Sequence, residues 1–307
     1  MSKTVLVATE KPFAPVAVEK ISGIFTEAGY EVKLLEKYTD KADLLKAVEE
    51  VDALIIRSDK VTAEVLEAAK NLKIVVRAGA GYDNVDCAKA TEKDVVVMNT
   101  PGQNSNAVAE LAFGLMVTIA RKQYQGKSGT ELRGKRLGIH GYGNVAKCIV
   151  KIARGFGMEV EAYGRSLTPG QDLEDGAVAS QSVEDLYKNC DYISLNIPAN
   201  DTTKKSINFD LLSKTKKGAA LINTARKEVI DEDGLLKMME ERPDFLYASD
   251  VAPDCKDVLL EKYAERCFFT AKKMGAQTAE ANINAGIAAA KQIVSFLEKG
   301  DTTFKVN

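Results

Sequence analysis

The chain has 307 residues, 45% of them apolar, and 42 basic against 44 acidic side chains for a net charge of -2. That length suits two domains with a core each, and the balanced charge argues against nucleic acid or an anionic membrane as a bulk partner. One histidine (His140) and five scattered cysteines (Cys87, Cys148, Cys190, Cys255, Cys267) without CxxC spacing offer no zinc or disulfide framework. No metal site is expected, and the thiols read as reduced and cytoplasmic. The first residues enter a strand directly, so neither a signal peptide nor a membrane span is expected.

Short runs rich in Val, Leu and Ile predict strands at 5–8, 32–35, 53–57, 74–77 and 95–98. Stretches of helical spacing separate them, including 16–28 and 63–69. Near-continuous apolar strands alternating with helices predict a parallel sheet covered on both faces. After the turn Thr100-Pro101-Gly102-Gln103-Asn104, residues 107–120 are apolar around most of a helix, so they are expected to be buried between domains or against a second subunit. A second series of strands follows at 136–140, 159–163, 192–195, 219–222, 246–250 and 268–270, and an apolar helix at 279–297 closes the chain. The expected fold is α/β, with two doubly wound parallel-sheet domains and a ligand cleft between them. One is a flavodoxin-like substrate domain (1–99 with 281–307). The other is a Rossmann dinucleotide-binding domain (100–280).

The second series opens on Gly141-Tyr142-Gly143-Asn144-Val145-Ala146, which fits G-x-G-x-x-G/A between a strand and an apolar-periodic helix. Gly141 permits the tight turn, Gly143 lets backbone approach a pyrophosphate, and the helix N-terminus faces the phosphates. Where NAD sites usually carry an acid for the ribose hydroxyls, this chain has Gly164, then Arg165 and Ser166. A guanidinium and a hydroxyl suit a 2′-phosphate. The cofactor expected is therefore NAD(H) or NADP(H), leaning to NADP(H). His140, beside Gly141, reads as structural or cofactor-adjacent, not catalytic.

Six segments carry a resemblance beyond this fingerprint. They are Arg57-Ser58-Asp59-Lys60, the run from Arg77-Ala78-Gly79-Ala80-Gly81 to Asp86, and Asn99-Thr100-Pro101-Gly102-Gln103-Asn104 with Val108-Ala109-Glu110. The others are the fingerprint itself, Asn223-Thr224-Ala225-Arg226, and Ser249-Asp250-Val251. Together, in this order, they resemble the D-2-hydroxyacid dehydrogenase family, and within it the phosphoglycerate dehydrogenase branch in a short form. That form implies no serine feedback through added regulatory domains.

The resemblance implies a role for each matching position. Arg226 would pair with the substrate carboxylate and C2 oxygen, and Ala78 and Gly79 would offer backbone N–H groups. Arg57, Ser58 and Asn104 would meet the substrate phosphate. Asp250 would hold the nicotinamide carboxamide, while Asn196, Pro198, Thr224 and Gly275 would line the cofactor. It also implies a cytoplasmic homodimer acting on a small phosphorylated 2-hydroxy acid.

The chain departs from the family at its usual His–Glu pair. Counting back from Gly275 gives Lys273 in place of the histidine, and counting on from Asp250 gives Cys255 in place of the glutamate. Losing both together is coherent, because a lysine needs no carboxylate to fix a tautomer. Asp254 is one position short and could pair with Lys273. Burial beside Arg226 would pull a lysine from ~10.4 toward ~7–8, where it exchanges protons with a C2 oxygen. Even when protonated it would donate to a developing alkoxide. The expected catalytic pair is Arg226 and Lys273. The expected reaction is oxidation of 3-phospho-D-glycerate to 3-phosphohydroxypyruvate in serine biosynthesis. The alternatives are an NADPH-dependent glyoxylate/hydroxypyruvate reductase and a non-catalytic dinucleotide sensor.

Overall fold

The computed structural model describes residues 2–307. Two compact units divide the chain, one running to Asn104 and resuming over Thr278–Asn307, the other spanning Ser105–Gln277.

In the first unit, strands β1 (Thr4–Thr9), β2 (Glu31–Glu36), β3 (Ala53–Ile56), β4 (Ile74–Arg77) and β5 (Val96–Asn99) pair in parallel in the order β2-β1-β3-β4-β5. All four residues of β3 are fully buried, because one core cluster covers each face of the sheet. This is why the strand reads as unbroken aliphatic sequence. One face is closed by the helices Pro15–Glu27 and Ala279–Lys299, which pack on each other. Gly286 allows that approach: a Cβ there would lie 2.7 Å from Ile21 Cδ1. The last residues cover the free edge of β5, with Lys305 bridging Met98 and the Val306 amide donating to Val97 at 2.9 Å, which protects the edge from further pairing.

In the second unit, β6 (Arg136–His140), β7 (Glu159–Tyr163), β8 (Val178–Ala179), β9 (Tyr192–Leu195), β10 (Ala220–Asn223), β11 (Leu246–Ser249) and β12 (Cys267–Phe269) pair in parallel in the order β12-β11-β10-β9-β6-β7-β8. The order reverses between β6 and β9, as in dinucleotide-binding folds, and in the first unit it reverses between β1 and β3 as in flavodoxin-like sheets. Both units are thus the doubly wound parallel architecture the sequence predicts. β8 is the strand the pattern does not reveal; at two residues it is too short to show periodicity. The helix Ser105–Ala120 packs on the helix Asn144–Gly155 and across β10, β11 and β12. Ala109, Ala112, Phe113 and Met116 are buried there, so much of its apolar circumference is covered inside its own unit.

Candidate active site and dinucleotide pocket

β6 ends at His140 and the chain turns sharply through Gly141. Its φ of +98 lies in the left-handed region, and a Cβ there would sit 2.7 Å from the Asn196 carbonyl oxygen. Both conformation and space therefore demand glycine. Gly143 is the N-cap residue of the helix Asn144–Gly155, and a Cβ on it would meet nothing within 4 Å. Asn144 and Val145 follow in the first turn, where helix amides lack intrahelical partners. Ala146 is fully buried, which seats the helix close to the sheet.

A cavity of about 580 Å³ opens at this turn. Gly141, Tyr142 and Gly143 form one wall, Arg165 and Ser166 a second, and Asn196 and Pro198 a third. Thr202 and Thr203 also line it; they were missed in the sequence because they follow β9 in an irregular loop. Gly164 is tightly packed, as a Cβ would lie 3.1 Å from Tyr142 Cβ. His140 is buried, its Nδ1 3.2 Å from the Tyr187 hydroxyl and its ring edge-on to Tyr163 and Tyr187. Burial lowers its pKa to about 4, so the ring is neutral and packs as a core residue.

A second cavity of the same unit, about 350 Å³, is lined by Arg226, Asp250 and Lys273. The fully buried Asn223 shapes the turn that presents Arg226: Oδ1 accepts the Ala225 amide at 3.0 Å, and Nδ2 donates to the Arg226 carbonyl at 3.0 Å. Asp250 is 2% exposed, and its Oδ2 accepts the amides of Met274 at 3.1 Å and Gly275 at 2.8 Å. Its other oxygen, Oδ1, is buried without a hydrogen-bond partner, as is Thr224 Oγ1. Orphaned buried acceptors are uncommon. Here they stand at the carboxyl ends of β10 and β11, where a carboxamide donor would satisfy them. The open cradle at Gly143 and these orphaned oxygens fit a nicotinamide dinucleotide.

The structure departs from expectation on Lys273 burial. Arg226 and Lys273 are both exposed, because Lys273 stands in the loop 270–278 rather than on a strand. Asp254 carries an ion pair to Lys227 at 2.5 Å. The amides of Asp254 and Cys255 both donate to the Glu232 carboxylate at 2.8 Å. Glu232 therefore fixes this loop, and no motif in the sequence points to it. Burial, then the neighbouring Glu232 charge, pushes the Cys255 thiol up to about 12, so Cys255 stays neutral and does not replace the family's carboxylate.

In the first unit, Arg57, Ser58, Ala78, Gly79 and Asn104 follow the carboxyl ends of β3, β4 and β5. Arg57 Nη1 donates to the carbonyls of Lys11 and Pro12 at 2.9 Å, Nη2 donates to Asn282 at 2.5 Å, and the guanidinium lies over the Phe13 ring. Asp59, 2% exposed, accepts the Glu10 amide at 2.7 Å, the Tyr38 hydroxyl at 2.9 Å and the Arg57 amide at 3.1 Å. It thereby stitches the ends of β1 and β3 where the strand order reverses. Arg77 donates through Nε to the Arg57 carbonyl at 2.9 Å, and its guanidinium occupies the space a Cβ on Gly79 would fill. Arg77 belongs with Arg57 as a strand-end cation that sequence reasoning passed over. Its signal was its place directly before the glycine-rich turn.

The "D-isomer specific 2-hydroxyacid dehydrogenase, NAD binding domain" family matches residues 106–261. The chain is 36% identical over 280 residues to the hydroxypyruvate reductase of Thermotoga maritima, covering 86% of this chain and 90% of that one. It is 34% identical to the D-3-phosphoglycerate dehydrogenase of Methanocaldococcus jannaschii, covering 89% of this chain but 55% of that longer protein. Among solved structures, the NAD+-bound 3-phosphoglycerate dehydrogenase of Entamoeba histolytica is 44% identical, with a TM-score of 0.87 over 100% of this chain and 99% of that one. Fold, fingerprint and relatives define a nicotinamide-dependent oxidoreductase. The chain belongs to the D-isomer specific 2-hydroxyacid dehydrogenase family. Among the described residues, no helix is long and apolar enough to cross a membrane.

Proposed function

We propose that the protein is a D-3-phosphoglycerate dehydrogenase, interconverting 3-phospho-D-glycerate and 3-phosphohydroxypyruvate, with Lys273 in the place of the family's histidine. The observation that carries the reading is the single cavity lined by Arg226, Asp250 and Lys273. Arg226 pairs with the substrate carboxylate and the C2 oxygen, where its planar fork suits both oxyanions. Lys273, as an ammonium, gives its proton to the C2 oxygen in the reduction direction and recovers it in oxidation. Asp250 orients the carboxamide. When bound, the nicotinamide supplies or accepts the hydride. Arg57 and Arg77 support a phosphorylated substrate, with Ser58 and Asn104 as its neutral contacts; the Ala78 and Gly79 amides, expected on the carboxylate, donate instead to the Ile56 and Arg77 carbonyls at 2.8 Å, which leaves the carboxylate to Arg226.

The residues beyond β7 decide the cofactor. Arg165 and Ser166, in a pocket whose described lining holds no Asp or Glu, support NADP(H), and the NAD+ held by the E. histolytica relative supports NAD(H). A glyoxylate/hydroxypyruvate reductase is the second reading, favoured by the T. maritima relative at 36% identity and by a glyoxylate reductase from Thermococcus litoralis at 34%. Retention of Arg226, Asp250 and a basic side chain at 273 in one cavity argues against a non-catalytic sensor. The homodimer rests on the family resemblance, because the helix that first suggested it is largely covered within its own unit.

The deciding experiment compares phosphohydroxypyruvate, hydroxypyruvate and glyoxylate as oxidants of NADH and of NADPH. The highest kcat/KM with phosphohydroxypyruvate supports the proposal. Equal or better use of hydroxypyruvate or glyoxylate moves the protein to the reductase reading.

A further inference from the structure

Tyr142 stands between the two fingerprint glycines, and its hydroxyl donates to Asp175 Oδ2. Asp175 lies outside the pocket lining, at the tip of a small excursion between β7 and β8. There the chain doubles back on itself: Asp172 bridges Val178 in antiparallel fashion, the Leu173 amide donates to Ala177 at 2.8 Å, and the Gly176 amide donates to Leu173 at 2.8 Å. The fingerprint helix grips the same tip from its far end, where Arg154 Nη1 donates to the Asp175 carbonyl at 3.1 Å. The near end of the excursion carries Arg165 and Ser166, which line the pocket.

This geometry has two consequences for the pocket. The hydrogen bond to Asp175 fixes the Tyr142 ring, which lines the pocket beside Gly143. A released ring could turn within the pocket. The pinned Tyr142 Cβ also crowds residue 164, at 3.1 Å from where a side chain would begin, which leaves recognition of the adenosine ribose to Arg165 and Ser166.

We infer that Asp175 is a positioning residue for the dinucleotide, acting through Tyr142 to fix the ring that lines the pocket and to keep the wall bearing Arg165 and Ser166 in place. The inference rests on the dinucleotide reading of this pocket and concerns its adenosine–pyrophosphate half alone. Tyr142→Phe removes one oxygen and Asp175→Ala removes the acceptor, while Asp175→Asn retains an acceptor oxygen.

The probe is ADP-ribose or 2′-phospho-ADP-ribose, whichever wild type binds more tightly; each carries the adenosine and pyrophosphate but no nicotinamide, and affinities are measured by isothermal titration. Tyr142→Phe and Asp175→Ala are each expected to weaken binding about tenfold, equivalent to about 1.4 kcal/mol. Asp175→Asn should recover most of that loss. The Tyr142→Phe/Asp175→Ala double variant should be no weaker than either single one, because both delete the same interaction. In turnover, Asp175→Ala should raise KM for the dinucleotide and leave kcat at saturation unchanged, a split that general loss of structure does not produce. Affinity within twofold of wild type for both single variants overturns the inference, as does a double variant whose losses multiply. Should Asp175→Ala fail to fold, Tyr142→Phe decides alone. Wild-type protein that binds neither ADP-ribose nor 2′-phospho-ADP-ribose overturns the dinucleotide reading itself, and the inference with it.

Discussion

The Asp250 carboxylate accepts the Gly275 amide at 2.8 Å, tying the end of β11 to the loop that carries Lys273 two residues earlier. One oxygen positions the loop, and the other faces no partner. Asp250→Ala should lower kcat/KM about 100-fold, the scale expected when a catalytic group is misplaced by about 1 Å. The loss should appear in both kcat and the dinucleotide KM, since the change affects the Lys273 loop and the carboxamide site together. Steady-state kinetics with varied NADH checks this, and a change in KM alone would show that Asp250 does not position Lys273.

Arg226 is presented by a turn built from Asn223, and its chemistry depends on a planar fork that a lysine lacks. Arg226→Lys keeps the charge and loses the bidentate geometry, so kcat/KM for the 2-oxoacid should fall about 100-fold or more, with dinucleotide affinity unchanged. Titration of NADH into the variant separates the two effects. Weakened NADH binding would place Arg226 on the cofactor instead.

His140 gives a pH dependence of stability. Burial holds its pKa near 4 in the fold against 6.5 unperturbed, so between these values the unfolded chain binds more protons. The stabilising contribution is complete above about pH 6.5 and is lost as pH falls toward 4, about 3 kcal/mol across the window at 1.36 kcal/mol per pKa unit. His140→Gln should lose less stability than wild type between pH 7 and pH 4.5 in urea unfolding. Parallel pH profiles for the two proteins would show that His140 does not titrate this way.

Arg165 tests the origin of cofactor choice. If its guanidinium meets a 2′-phosphate, Arg165→Ala should lower kcat/KM with NADPH about tenfold, the cost of one charge-assisted contact, and change the value with NADH by less than twofold. Equal losses with both cofactors would mean Arg165 reads something common to them.

The strand series, the fingerprint and the order of the family segments were legible because they depend on local pattern: aliphatic runs, a glycine turn, and residues next to each other in sequence. What sequence concealed depends on contacts between distant segments. Glu232 anchors the 254–255 loop from more than 20 residues away, and Asp59 joins β1 to β3 through a carboxylate that sequence alone cannot distinguish from a surface acid. The expected burial of Lys273 failed for a related reason, since exposure depends on how the loop 270–278 sits rather than on its composition. Asp254, adjacent to the missing carboxylate, pairs with Lys227, which lies 27 residues away.

Whether Lys273 does the work of the missing histidine is tested most directly by Lys273→Met, which removes the ammonium and keeps the length. Measured as NADH oxidation by phosphohydroxypyruvate at saturating cofactor, kcat should fall at least about 100-fold, within the range general acid catalysis contributes, while NADH affinity stays at the wild-type value. A variant that turns over within a few fold of wild type would contradict the account and assign the proton transfer to another group.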